Sequence, residues 1–163
     1  MRIKNLALKK FLELTKFWQQ GVARPSSGLY GHIVLSVVTL FVVFDSEAVL
    51  QRSRCLILDP LAGHPDSNKR IDDHDVRETI KELAQLDGAF IVSNTGVVIS
   101  ACRYINASSQ GIALPLGLGS RHMAAASITK ETEAIAVVVS ESSVVRVFEG
   151  ESLSRKSYQS FGC

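Results

Sequence analysis

The chain has little that would fix a special class. Its three cysteines, Cys55, Cys102 and Cys163, are odd in number and far apart. No C-x-x-C pair occurs, so neither a zinc cluster nor a dithiol redox motif is supported. Small buried hydrophobes or a frayed terminal thiol account for them, and a reducing cytoplasm suits that usage. Charge of one sign is also scarce. Eighteen basic and sixteen acidic side chains leave a formal +2, too little to imply a nucleic-acid or membrane surface by itself. The longest apolar run, Ile33–Phe44, is broken only by Ser36 and Thr39. A membrane span needs about twenty residues, so this run is too short. Its Val, Ile and Phe content reads instead as a buried strand with a neighbouring extended segment. Residues 1–18 are charged and amphipathic, with no apolar leader core, so no export signal is expected. Internal repeats, low-complexity tracts and the Gly-x-x-x-x-Gly-Lys phosphate loop are all missing.

What is present describes an ordinary folded domain. The 163 residues are 46% hydrophobic and 21% charged, close to the average for globular chains. A chain of this length can bury a real core without staples. From Ile3 to Gln20, Leu8, Phe11, Leu12 and Thr15 share one helical face, which predicts an amphipathic helix. It packs on the domain's own sheet or serves a partner or a membrane surface. Residues 21–31 hold Pro25, Ser26, Ser27 and Gly28, which is linker chemistry. The expected division is therefore 1–31, helix and linker, and 32–163, the domain proper.

Along the domain, Asp45-Ser46-Glu47 can cap a short helical turn through Leu50. Leu56-Ile57-Leu58 is strand-like, and Asp59–His74 reads as a long surface loop of the functional or mobile kind. A helix is predicted from about Asp75 to Leu86, with Val76, Ile80, Leu83 and Ala84 on one face. Asp72, Asp73 and Asp75 lie at its positive end, and Gly88 is placed to terminate it. Ala89–Val92 and Val97–Ala101 flank Asn94-Thr95-Gly96 as a β-hairpin. Ser120 is a candidate N-cap for a helix running to Lys130. Ala134–Ser140 predicts a strand buried on both faces, paired with Val144–Phe148. The fold class expected is α/β, bordering on α+β: one globular domain with a central mixed sheet flanked by helices.

Four places can carry chemistry. Gly119-Ser120-Arg121-His122, after a glycine-rich turn, is either an anion site or a capped helix whose Arg121 and His122 face solvent. In the first case the glycine lets the backbone approach, and a helix start presents amides and positive potential. Arg121 adds forked donors that match phosphate oxygens, and His122 a group that can donate, shuttle protons or ligate a metal. Asp87-Gly88-Ala89, at a helix-to-strand handover, is either a helix stop or a carboxylate placed to hold a divalent cation. Ser140-Glu141 follows a buried strand, where ligands collect in α/β sheets, and Glu141 is then a second metal ligand or a solvated turn residue. Tyr104 and Ile105 either sandwich a base or belong to the core.

These pieces, in this order, resemble the diadenylate cyclase catalytic domain family. Asp87-Gly88-Ala89 matches its Asp-Gly-Ala motif, and Gly119-Ser120-Arg121-His122 its Gly-Thr/Ser-Arg-His motif at a helix start. The valine-rich strand and Val138-Val139-Ser140-Glu141 are also similar, and the likeness covers about Thr39 to Glu149. One departure stands out: many bacterial members carry a second arginine after the histidine, where this chain has Met123. The Met-Ala-Ala-Ala continuation looks like the archaeal branch, and Arg103, Lys130 or Arg146 is then left to supply the charge. The resemblance implies condensation of two ATP into cyclic di-AMP with release of two pyrophosphates. It implies Asp87, and then Glu141, as ligands of Mn²⁺ or Mg²⁺. Gly119, Ser120, Arg121 and His122 would cradle the triphosphate, beside Gly88 and Ala89. Tyr104 and Ile105 would contact adenine, with Ser140 near the same pocket. It also implies a face-to-face homodimer, or a larger homo-oligomer, because each domain presents half a site. Two other readings stay open: a non-catalytic adenine-nucleotide or cyclic-dinucleotide binding module, and an interaction domain using the Ile3–Gln20 helix.

Overall fold

Four or five consecutive apolar residues cannot alternate between a wet and a dry face, so a strand built on such a run must be covered on both sides. The computed structural model meets that demand twice, in β1 (Thr39–Val43) and β5 (Ile135–Val139), every residue of which is buried. It describes residues 38–56, 58–140 and 144–150, and the backbone of 152–158. The helix expected over Ile3–Gln20, the 21–31 linker and the start of the apolar run lie outside the described residues, as do Glu141 and Cys163.

Seven strands form one mixed sheet in the order β2-β4-β3-β1-β5-β6-β7. The other strands are β2 (Ser53–Cys55), β3 (Ala89–Val92), β4 (Val98–Ile105), β6 (Val145–Glu149) and β7 (Ser152–Tyr158). At the centre, β1 runs parallel to β3 and antiparallel to β5. Among the described residues three α-helices cover the two faces: α1 (Ser46–Gln51), α2 (His74–Leu83) and α3 (Ser120–Glu131). Phe41 and Val43 point to one side, where Phe90, Val92, Ile135 and Val137 meet Ile80 of α2, Ala84 just after it, and Leu61 and Ile71 of the preceding segment. Phe41 and Phe90 stack there at 5.2 Å. Leu40 and Val42 point to the other, joining Ile91, Ala136, Val138 and Phe148 against Val49 of α1 and Ala125, Ala126 and Ile128 of α3. Each of the larger side chains, Val, Leu, Ile or Phe, contributes about 1.5–3 kcal/mol when fully buried. The α/β class with a mixed sheet flanked by helices is the architecture observed.

Local details differ from the sequence reading where long-range pairing decides. The edge strand β2 is Ser53–Cys55, antiparallel to Arg103–Ile105 of β4, and not Leu56–Leu58; Leu58 is exposed. An edge strand needs backbone pairing and not an apolar face, so periodicity is silent there. Helix α2 begins one residue earlier than expected, because Asp73 is the cap. Its carboxylate accepts from the Asp75 and Val76 amides at 2.8 and 3.2 Å. That helix stops at Leu83 in tight turns rather than reaching Leu86. The Asp45 side chain does not cap α1; its carboxylate accepts from the Glu133 amide at 2.9 Å. The long segment 59–74 contains a 3-10 helix, Asp66–Lys69. The β3–β4 hairpin is present, but β4 continues to Ile105, so Arg103, Tyr104 and Ile105 are strand residues rather than a segment beyond it.

Candidate functional site

Two short segments, Asp87–Ala89 and Gly119–His122, are brought together by the path of β3 and α3. Gly88 makes the first placement work. It has φ +110°, and a Cβ on it would lie 2.7 Å from the carbonyl carbon of Cys102. Cys102 itself has φ +53°, within the irregular β3–β4 pairing. Only glycine lets the chain enter β3 this close to the neighbouring backbone. It is not the cap of α2, which ends at Leu83, several residues upstream. Ala89 follows, buried, paired to Leu40 on one side and Arg103 on the other. Asp87 is thereby held at the mouth of the strand with its side chain 79% exposed.

The N-terminus of α3 differs from expectation in one respect. Gly119 occupies the cap position and Ser120 is the first helical residue; no side chain caps the end. The helical bonds start with the His122 and Met123 amides, which donate to the Gly119 carbonyl. The Ser120 and Arg121 amides precede them, and such amides have no acceptor within a helix. The Ser120 hydroxyl, relieved of capping, lines the site. Arg121 Nη2 donates to Asp87 Oδ1 at 2.8 Å, so the two motifs meet directly.

His122 does not face solvent. It is 6% exposed, its ring lies edge-on to Phe148 at 6.2 Å, and its Nε2 has no hydrogen-bond partner. Burial, and then the Arg146 charge, hold its pKa below the ordinary histidine value. The imidazole is thus a neutral donor or acceptor near pH 7.

Two adjoining clefts surround these groups. The first, about 310 Å³, is lined by Asp87, Gly88, Ala89, Tyr104, Ile105, Ser120 and Arg121, with Leu40, Met123 and Ala124 as apolar wall. The second, about 360 Å³, is lined by Gly117, Gly119, Ser120, Arg121, His122, Ser140 and Arg146. Ser120 and Arg121 belong to both. Tyr104 is half exposed, and the Arg54 guanidinium lies 4.9 Å from its ring centre. Every site residue named from sequence lines one cleft or the other, except Glu141, which falls outside the described residues. Leu40 and Arg54 were invisible to sequence reasoning: a both-face strand residue and a lone edge arginine carry no motif.

Of the three cations left open by Met123, the structure separates one. Arg103 lines the first cleft, but its guanidinium is directed to the β2 edge, donating to Ser53 Oγ, Cys55 Sγ and the Leu50 and Ser53 carbonyls. Lys130 sits at the far end of α3, directed to the Gln110 carbonyl. Arg146 lines the second cleft.

Among the described residues no group of three or more His, Cys, Asp or Glu could hold a metal ion. Among those residues Asp87 is the carboxylate lining the clefts, a hard oxygen donor of the kind that divalent cations take. Among the same residues no helix is long and apolar enough to cross a membrane.

Comparison with known proteins gives a consistent result. Residues 37–153 match the family model described as DisA bacterial checkpoint controller nucleotide-binding. A diadenylate cyclase of Methanocaldococcus jannaschii is 50% identical over 114 residues, 69% of this chain and 36% of that protein. One from Haloferax volcanii is 43% identical over 115 residues, 70% of this chain and 42% of that protein. The chain therefore spans well under half the length of the curated relatives it matches. Among solved structures, DacA from Staphylococcus aureus aligns with a TM-score of 0.55 at 16% identity, covering 97% of this chain and 91% of that one. A hypothetical membrane spanning protein from Bacillus cereus aligns at 0.51 and 20% identity, over 71% and 53% of the two chains. At those identities the structural likeness concerns the fold.

Proposed function

The chain belongs to the DisA bacterial checkpoint controller nucleotide-binding family, and from that premise we propose that it is a diadenylate cyclase, joining two ATP molecules into cyclic di-AMP. The observation that carries this reading is the shared wall of the two clefts. A cleft with an apolar wall and an exposed aromatic, and a cleft lined by Gly117, Gly119, His122 and Arg146, meet at Ser120 and Arg121, beside Asp87. That is the shape of a nucleoside joined to its phosphates.

In this reading adenine lies against Tyr104, Ile105 and the Leu40–Met123 wall. The triphosphate crosses the start of α3, where the Ser120 and Arg121 amides, the Arg121 fork and the His122 imidazole face it. The 3′-oxygen of one ribose forms a bond to the α-phosphorus of the other ATP. The bond from that phosphorus to the bridging oxygen breaks, and pyrophosphate leaves with its electron pair. The hydroxyl proton passes to solvent water as the new ester forms, and the same exchange in the opposite sense closes the ring. The domain supplies alignment and charge neutralisation rather than covalent chemistry. Asp87 would hold Mn²⁺ or Mg²⁺, which when bound lowers the charge repulsion between the incoming oxygen and the phosphates. The Arg121–Asp87 contact keeps the carboxylate oriented toward the shared wall. One domain accommodates one nucleotide, so turnover calls for two copies with their clefts facing.

The test is incubation of the chain with ATP and Mn²⁺ or Mg²⁺, with products resolved by chromatography and mass spectrometry. Cyclic di-AMP and two equivalents of pyrophosphate are expected, and Asp87→Asn should abolish product while the melting temperature holds. ATP binding without product under either metal would instead support a binding module. No ATP-dependent rise in melting temperature would overturn both.

A further inference from the structure

We propose that Arg146 is the residue that reads the polyphosphate tail, binding the two phosphates that leave as pyrophosphate. The proposal rests on the nucleotide reading of the paired clefts and adds a specificity residue to it. The second cleft has two permanent cations in its lining, and they come from different elements, Arg121 from α3 and Arg146 from β6. Arg121 belongs to the wall shared with the first cleft and is drawn toward Asp87 by the 2.8 Å contact. Arg146 comes from β6, opposite Val138 of β5, and lines only the second cleft.

A helix start alone would not identify a ligand. Here the buried His122 ring, with Nε2 unpartnered, lines the same space. A buried polar nitrogen left without a partner is costly unless something visits it. Arg146 is close enough for its charge to disfavour the imidazolium, so the ring meets the ligand as a neutral group and Arg146 carries the positive charge. The Ser140 hydroxyl is occupied closing the β5–β6 turn, bonding the Val144 carbonyl and amide at 3.1 and 3.2 Å. Arg103 lines the first cleft and not the second, with its guanidinium donating to β2-edge acceptors, and Lys130 is directed to the Gln110 carbonyl. A guanidinium fork and a helix start lining one cleft with Gly117 and Gly119 together suit a phosphate-bearing polyanion.

The experiment titrates inorganic pyrophosphate, ATP and AMP into the full chain by calorimetry. It compares the wild type with Arg146→Met, Arg146→Lys and, as a control, Lys130→Met. Arg146→Met should weaken pyrophosphate and ATP by about tenfold or more while AMP binding stays within about twofold, so the ATP-over-AMP preference collapses. Arg146→Lys should recover part of the loss, and Lys130→Met should match the wild type. In turnover, KM for ATP should rise more than kcat falls. Equal pyrophosphate affinity in Arg146→Met and wild type overturns the proposal. If Arg146→Met does not fold, wild-type NMR decides: pyrophosphate must shift the His122 ring signals, and an unmoved ring overturns it too. A chain that binds pyrophosphate through Arg146 but makes no cyclic product would sink the cyclase reading alone. Product formation with Arg146→Met indistinguishable from wild type would sink this proposal alone.

Discussion

The Asp87 carboxylate and the Arg121 guanidinium meet at 2.8 Å although 34 residues separate them in sequence. Their side chains are 79% and 30% exposed, and an ion pair that wet contributes no more than about 1 kcal/mol. Its importance is therefore positional. It ties the mouth of β3 to the start of α3 and fixes where the two clefts join.

Replacing Arg121 by lysine separates these roles. The charge survives as a point, but the fork that can face a carboxylate and a phosphate together is lost. The melting temperature should move by no more than about 3 °C, as expected for a pair worth under about 1 kcal/mol. ATP affinity in the same protein should fall at least about tenfold. A large loss of stability would show that the pair holds the fold rather than the site.

Gly88→Ala should behave in the opposite way. The substitution demands an L-residue at φ +110° and puts a Cβ 2.7 Å from the Cys102 carbonyl carbon. A sparsely populated backbone state costs about 1–3 kcal/mol, and the contact with rigid backbone adds to it. Urea denaturation should show a loss of at least that size, accompanied by weaker ATP binding as Asp87 shifts. A variant as stable as the wild type would mean that β3 and β4 can move apart there.

His122 gives the stability a pH dependence of defined sign. Burial first, and the Arg146 charge second, hold its folded-state pKa below the unfolded value. Above the ordinary histidine pKa of about 6.5 both states are neutral and the ring costs nothing. As pH falls through that value the unfolded chain takes up a proton that the folded chain resists, and stability drops. Between pH 7.5 and 5.5 the wild type should lose more stability than His122→Gln, measured by denaturation midpoints. In Arg146→Met the His122 titration, followed by NMR, should move up yet stay below the ordinary value, because burial remains.

Tyr104 should matter for the base and not for the phosphates. Its ring is half exposed and braced by Arg54 at 4.9 Å, so its removal leaves no core cavity. Aromatic stacking on a base is worth about 1–3 kcal/mol. Tyr104→Ala should therefore weaken ATP and AMP by about fivefold to a hundredfold while leaving pyrophosphate affinity unchanged. Equal weakening of all three ligands would place the base elsewhere.

Much of this was legible in the chain itself. The apolar Ala134–Ser140 run required a strand covered on both faces, and the amphipathic stretch from about Asp75 gave a helix start within a residue of the observed one. Asp87 and Gly119–His122 could be singled out because a carboxylate at a handover and a basic helix start are local patterns. What neighbours cannot encode is register. Sequence placed β2 three residues late, because an edge strand is chosen by its pairing with Arg103–Ile105 and not by its own hydrophobicity. It gave Gly88 to a helix end, whereas the requirement comes from Cys102 on another strand. It made Ser120 a cap, while Gly119 holds that position and frees the hydroxyl for the cleft. And it could not choose among Arg103, Lys130 and Arg146, because the choice depends on which strand lies beside β5. Local chemistry set the parts; the packing of distant segments decided which of them face the same space.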